Sequence, residues 1–260
     1  MNKTCVLIAE HYTHLKWESN WVGEFIDKYF IHATISSNRL DMKISIADNY
    51  GKPFLDYEVD ITKSSKYITF RRTDYLIKAT LDYKEMTIYV HDELALKHAF
   101  MNIYSSYIVY HNWGLLLHSS CVLDNKKAHI FTGHSGAGKS TVAKLSSPRM
   151  LLSDEASIVK ITNEGIKVFN SPFRSELEAS GRELPACLAS IQLLHQATHN
   201  NREFMAKSDA YLELVNKIFY WSHSKEETKQ VLNLLKVLVE QVPVYELHFQ
   251  KNNAFWELIS

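Results

Sequence analysis

Cysteine is scarce in this 260-residue chain, and Cys5, Cys121 and Cys187 are odd in number, far apart and without CxxC spacing. That excludes a disulfide framework and a cysteine-based structural zinc site, and the three thiols are expected to be buried in a reducing compartment. Long apolar runs are missing too. No 18-residue apolar span occurs, so no membrane-crossing helix is expected, and the apolar run in MNKTCVLIAEHYTH is too short for a secretory signal. Charge of either sign is not in excess, since 29 basic and 29 acidic side chains give a formal net charge of zero. Such a chain has no long-range field to draw it to nucleic acid or an anionic membrane, and neither is expected as a partner. Fixed-period repeats and low-complexity linkers are also absent. What remains is a cytoplasmic globular protein, 46% hydrophobic and 22% charged, long enough for one large domain or two small ones.

The pattern of what is present changes near residue 100. Over residues 1–100 the segments DMKISIAD (41–48), FLDYEVDI (54–61), KYITFRR (66–72), DYLIKATLD (74–82) and EMTIYVHD (85–92) alternate apolar with polar residues. Period two predicts strands, here a β-rich N-terminal region built as an antiparallel meander. WVGEFIDKYF (21–30) fits either a short helix or a strand. Across 92–113, Leu96, Phe100, Ile103, Tyr107 and Ile108 recur at helical spacing behind Asp92 and Glu93, which predicts a helix connecting the two halves. Tyr104, Tyr107 and Tyr110 along it read as core rather than as a base-stacking platform.

Residues 101–260 mix strand and helix periods, as an α/β domain does. A hairpin is expected from 114–123 and 127–133, turning at Asp124 and Asn125. A helix of about two turns, STVAKLS, follows and stops at Ser146-Ser147-Pro148. MLLSDEASIVKI and GIKVFNSPF predict a second hairpin around Asn163, Glu164 and Gly165, and ACLASIQLLHQ (186–196) a buried strand. DAYLELVNKIFYWS and KEETKQVLNLLKVLVEQ have helical periodicity, and VPVYELHF (242–249) reads as a strand before a short terminal helix.

Glycine is scarce as well, yet three of the 8 fall in Gly133-His134-Ser135-Gly136-Ala137-Gly138-Lys139-Ser140. This octet fits GxxxxGK followed by Ser or Thr at every fixed position, with an apolar strand before it and a helix after it. Small residues let successive backbone N–H groups curl around a phosphate, and the helix that follows adds its N-terminal partial charge. Gly133, Ser135, Gly136, Ala137, Gly138, Lys139, Ser140 and Thr141 are the expected nucleotide-binding residues. Lys139 would reach the outer phosphates and the Ser140 hydroxyl would hold magnesium. His134 occupies a variable position where the backbone does the binding.

Asp154 follows Ser140 by only 14 residues. Magnesium prefers oxygen ligands and keeps several waters, so an acid at the end of the apolar run Met150–Ser153 suits it. A doubly wound hydrolase usually places a full helix, and often another strand, before that acid. Here one short helix returns the chain directly to the acidic strand, so the sheet need not be parallel.

That combination of strand, glycine loop, short helix and LLSDE, preceded by LLLHSS and followed by a hairpin and SPF, resembles the catalytic domain of the HPr kinase/phosphorylase family. It is most similar to the smaller HPr-kinase-like serine kinases, some of which accompany peptide-modifying gene clusters. The resemblance covers residues 110 to 250, roughly. It implies a phosphoenolpyruvate carboxykinase-like fold with ATP and magnesium as cofactors. It also implies Asp154 as the acid acting on the substrate hydroxyl, Glu155 with Ser140 on the metal, and His118 near the reacting phosphate. Glu155 stands where the family more commonly has a second aspartate. RSELEASGRELPA replaces the segment with which HPr kinases recognise and dephosphorylate their partner, so neither HPr recognition nor phosphorylase activity is implied. HPr kinases are hexamers, which makes a homo-oligomer an implied partner, although no residue here fixes an interface.

Read without the resemblance, a lone histidine such as His118 on an apolar strand is more often a satisfied core or edge residue. Arg174 is a candidate cation for charge developing on the phosphate, with Arg182 as its rival, although an arginine in such a place is more often an exposed surface residue. The expected function is an ATP-dependent, magnesium-requiring kinase acting on a serine hydroxyl of a peptide or small protein. A small-molecule kinase of the same fold and a nucleotide-binding regulatory protein without transfer activity are the alternatives.

Overall fold

Alternation of apolar and polar residues becomes an eight-stranded sheet in the first of two compact units, Met1–His111 with Tyr220–Thr228. The computed structural model describes residues 1–34, 40–175, 177 and 185–259. The chain runs through β1 (Asn2–Ile8), β2 (His11–Trp17), α1 (Asn20–Tyr29), β3 (Ile31–His32), β4 (Met42–Ala47), β5 (Asp60–Lys63), β6 (Tyr67–Arg71), β7 (Tyr75–Thr80), β8 (Glu85–Val90) and α2 (Glu93–Tyr110). Their order across the sheet is β3-β1-β2-β4-β8-β7-β6-β5.

Only β5 to β8 form the expected antiparallel meander, because β4 lies parallel to both β2 and β8. A parallel neighbour needs a crossover rather than a tight turn, and α1 and β3 stand in the connection between β2 and β4. The segment 21–30 resolves as helix, burying Val22, Phe25 and Ile26 at helical spacing. FLDYEVDI is overestimated as a strand, since only Asp60–Lys63 pairs. Its aromatics serve another purpose. Phe54 lies 4.8 Å from the guanidinium of Arg72, which forms a buried two-pronged ion pair with Asp74 at 2.6 and 2.8 Å.

Helix α2 is capped by Asp92, whose carboxylate accepts from the Ala95 N–H at 2.9 Å. Tyr104 and Tyr107 are buried along it as expected, while Tyr110 is 38% exposed. The division between units falls after His111, so the helix belongs wholly to the first unit rather than straddling a boundary at 100. Residues Tyr220–Thr228 come back to the same unit and bury a polar cluster. The Tyr83 hydroxyl meets His223 Nε2 at 3.0 Å and Glu227 Oε2 at 3.2 Å, and His223 and Glu227 pair at 3.4 Å.

Burial opposes charging of His223, but the Glu227 hydrogen bond, the Trp221 carbonyl and the Glu227 charge outweigh it and raise its pKa above 6.5. A raised folded pKa gives stabilisation that is complete below the unfolded value and lost as pH rises through the folded value. Thermal melts between about pH 6 and pH 9 should therefore show a downward step in stability that Glu227→Gln flattens. An unchanged slope in that variant would remove His223 as its source.

The second unit, Asn112–Phe219 with Lys229–Ser260, holds β9 (Gly114–Asp124), β10 (Lys127–Thr132), α3 (Lys139–Leu145), β11 (Met150–Ser153), β12 (Ala156–Thr162), β13 (Gly165–Phe169), β14 (Ala186–Gln196), β15 (Asn201–Phe204), α4 (Lys207–Val215) and β16 (Val244–Phe249). α5 (Lys225–Gln241) precedes β16, and a 3-10 helix, Asn253–Leu258, follows it. β9 and β10 form the expected hairpin, turned by Asn125 and Lys126 at φ 47° and 64°. The other edge of β9 pairs β12 over its first half and β11 over its second. β14 runs parallel to both β10 and β16, so the sheet is mixed.

The expected hairpin from 150 to 173 is two features. β12 and β13 form the hairpin, whereas β11 is a separate strand that breaks at Asp154 and Glu155. β15 lies in NNREF, whose polar sequence carries no strand signal, and pairs with β16. The helix read in DAYLELVNKIFYWS ends at Val215. Cys5 and Cys121 are buried, but Cys187 is exposed, a correction that follows from its outward position in alternating β14.

Candidate functional site

The loop begins where β10 ends. β10 is a central strand between β9 and β14, so its C-terminal end opens beside the ends of the parallel strands β14 and β16. In open α/β sheets that is the rim where ligands bind. Gly136 and Gly138 take φ of 81° and 108°, backbone that only glycine adopts freely. A Cβ at Gly138 would also meet Phe249 Cζ at 2.7 Å. Beneath the loop lies a core of Val122, Phe131, Val142, Leu194, Phe249 and Phe255. Burying each such side chain is worth about 1.5–3 kcal/mol, and this core holds the loop against the sheet.

Lys139 is buried, and its ammonium donates to the carbonyls of Gly133 and His134 at 3.2 and 3.1 Å. Ser135, Gly136 and Ser140 are exposed, Thr141 is half-buried and Ala137 is buried. Each residue of His118-Ser119-Ser120 has a separate task. Ser120 Oγ donates to the Lys139 carbonyl at 3.2 Å and tethers the start of α3. Ser119 Oγ donates to Ser157 Oγ at 2.7 Å, and Ser157 in turn bonds Ser153, so a buried hydroxyl chain underlies the break at Asp154.

His118 stacks on Phe219 at 5.2 Å, and its backbone N–H donates to the Lys217 carbonyl at 2.7 Å. The Phe219 N–H donates to the Leu116 carbonyl at 2.9 Å, completing a short antiparallel bridge. That bridge brings in Lys217, a residue with no signal of its own in the sequence because it lies in a stretch of helical periodicity. Burial, then Lys139, then Lys217 lower the His118 pKa to about 4. His118 is therefore a neutral imidazole at pH 7. Burial followed by Lys217 also lowers the Lys139 pKa. A buried lysine whose charge is further disfavoured by a second cation nearby favours an anion beside it. A recess of about 120 Å³ lies beside Lys217, bounded also by Gly133, His134, His195, Glu213 and Glu246.

Removing the Lys217 charge should raise the His118 pKa from about 4 towards the ordinary value of 6.5, but not to it, because burial persists. Imidazole NMR titration of Lys217→Met checks this. An unmoved titration would show that burial and Lys139 set it without Lys217.

The acid pair stands one strand from the loop. Ser119, in register with Thr132 at the end of β10, donates its N–H to the Glu155 carbonyl at 3.0 Å. Glu155 is half-buried and Asp154 buried. The Asp154 carboxylate accepts from the Ser175 N–H and hydroxyl, both at 3.1 Å, and from the Leu177 N–H at 3.0 Å. It thus anchors the chain just after SPF.

Arg174 is buried, which corrects its reading as a surface arginine. Its guanidinium donates to the carbonyls of Leu151, Leu152 and Ser171 at 3.0–3.1 Å and to Asn170 Oδ1 at 2.6 Å. Arg174 and Asp154 therefore clamp β11 and the 170–177 segment together from both sides. Arg182 and most of RSELEASGRELPA lie outside the described residues.

The donor set matches a magnesium nucleotide in kind. An exposed hydroxyl at Ser140 and carboxylates at 154 and 155 are hard oxygen ligands, and a nucleotide-borne magnesium needs few of them from the protein. Among the described residues no cluster of three or more His, Cys, Asp or Glu side chains forms a metal centre, and no helix is long and apolar enough to cross a membrane.

No curated protein matches the chain. A family model does, and it extends from Asp82, just before β8, through α2 and the whole of the loop-bearing unit. Matched over residues 82–260 by the model described as SynChlorMet cassette protein ScmC, the chain belongs to that family.

Proposed function

We propose that the chain is an ATP-dependent kinase that transfers the γ-phosphoryl group to a serine hydroxyl of a peptide or small protein. The observation that carries this reading is the meeting of Lys139, Lys217 and a neutral His118 at one glycine loop, with two acids one strand away. The short interval between Ser140 and Asp154, the HPr-kinase-like motifs and the mixed sheet around the loop support a phosphoenolpyruvate carboxykinase-like arrangement. Membership of a gene-cassette family supports an acceptor made by a neighbouring gene.

Phosphoryl transfer needs positioning and charge neutralisation more than covalent chemistry from the protein. Loop amides and Lys139 would hold the β- and γ-phosphates, the ammonium exchanging the Gly133 and His134 carbonyls for phosphate oxygens. Lys217 would offset charge on the transferred group, and neutral His118 can donate one hydrogen bond to it. Ser140 and Glu155 would hold magnesium, which would supply positive charge against the phosphates. The serine oxygen forms its bond to the γ-phosphorus while the bond to the β,γ-bridging oxygen breaks and ADP leaves. Asp154 would accept the serine proton, its carboxylate kept in one orientation by Ser175 and Leu177.

Incubation with labelled ATP, magnesium and the serine-containing peptides encoded beside the gene should label serine, and a Ser→Ala peptide should stay unlabelled. Labelling of small hydroxyl compounds alone would replace this reading with a small-molecule kinase. Nucleotide binding without any labelled acceptor would replace it with a regulatory protein.

A further inference from the structure

The first unit's sheet has two unlike faces. Val6, Leu15, Ile44, Ile77 and Ile88 fill the covered one, each buried to 2% exposure or less. The opposite face carries a trough of about 640 Å³, within the size range of ligand pockets. Its lining includes Lys16, Lys43 and Lys78, with Ser45, Thr80 and Thr87 between them. Strand register fixes this grouping, for Lys3 stands opposite Lys16, His14 opposite Lys43, and Lys78 opposite Thr87. Glu85 is the one carboxylate in the lining, and Lys43 already holds it at 2.8 Å. Burial, then Lys16, Lys3 and Lys43, lower the His14 pKa, so the lysines act as one local positive field in a chain of zero net charge.

We propose that this trough is a docking site for a carboxylate-rich peptide segment. Lysines lie on β2, β4 and β7, and the order β2-β4-β8-β7 puts three strand spacings between the first and last, roughly 14 Å. An extended peptide repeats its side chains on one face every ~7 Å, so acidic residues at i and i+4 span about the same distance. Intervening hydroxyls can pair with peptide amides. Nucleic acid suits the lining less well, because it contains no arginine for bidentate phosphate contacts and its rings for stacking are limited to Tyr67 and the imidazole of His14. The inference shares the peptide acceptor with the proposed kinase function but needs no nucleotide.

Fluorescence anisotropy of a labelled peptide with Glu at alternate positions tests it, with its Gln counterpart and a single-stranded DNA of equal charge as comparisons. Binding of the acidic peptide alone is expected, falling about 10-fold or more in Lys16→Glu/Lys43→Glu/Lys78→Glu and at high salt. These lysines are partly or fully exposed, so an unchanged melting temperature would confirm that the triple variant folds. Equal binding of the DNA, or unchanged binding in the triple variant, would overturn the proposal. Docking that persists in Lys139→Ala while phosphoryl transfer is never seen would uphold this site and sink the kinase reading. Transfer without docking would do the reverse.

Discussion

Replacing Lys139 with alanine is expected to abolish the stabilisation that ATP confers and to lower phosphoryl transfer by about 10²- to 10³-fold or more. The apo protein should melt no earlier than the wild type. Burial and the Lys217 charge both lower the Lys139 pKa, so the fold houses a cation it does not favour. Among the described residues its ammonium bonds the Gly133 and His134 carbonyls of the loop itself. Wild-type protein at a hundredfold excess of ATP over Kd should gain about 2.7 kcal/mol, read as an upward shift in melting temperature. A shift that survives in Lys139→Ala would mean that nucleotide binds elsewhere or not through this side chain, and the assignment of the loop would fall.

Arg174→Ala is expected to cost about 3–5 kcal/mol of stability, the range seen when one partner of a buried ionic arrangement is removed. The guanidinium bonds three backbone carbonyls and the Asn170 amide oxygen while lying 4% exposed beside Asp154. Loss of those donors leaves the Leu152 carbonyl only the Ser171 N–H among the described residues and removes the guanidinium from the Leu151 carbonyl. It also loosens the turn at Asn170 and Ser171, ahead of the Ser175 and Leu177 contacts that Asp154 holds. Arg174→Lys should recover little, because an ammonium cannot place donors at forked positions. Denaturant unfolding measures the loss. If stability holds while transfer collapses, Arg174 acts on the phosphate, and its Nη1, without a hydrogen-bond partner among the described residues, is the atom for that role.

Motifs written in contiguous residues are legible in the sequence alone. The octet ending at Ser140 has to turn as it does, since its glycines are the residues that accept φ above 80° and the close approach of Phe249. The β9–β10 hairpin, α2 with its Asp92 cap and the two-turn α3 are equally local. Alternation, by contrast, says which face of a strand is buried and nothing about its neighbour. For that reason the parallel pairings of β4 with β2 and β8 leave no trace in the sequence, and FLDYEVDI, although it alternates, finds a partner only at its last residues.

The same distinction divides the candidate site. By itself the sequence determined the loop, the lysine within it and the short path to Asp154 and Glu155, because backbone conformation and strand periodicity are set by near neighbours. Only the tertiary structure decided that His118 is buried near Lys139 and neutral, and that Lys217 joins them through a bridge between segments far apart in the chain. It alone decided that Arg174 is buried in a clamp with Asp154, and that lysines from three strands of the first unit share one trough. The charge state of a histidine and the reach of an arginine depend on which distant groups share their low-dielectric surroundings, and that follows from how strands pair, not from their order.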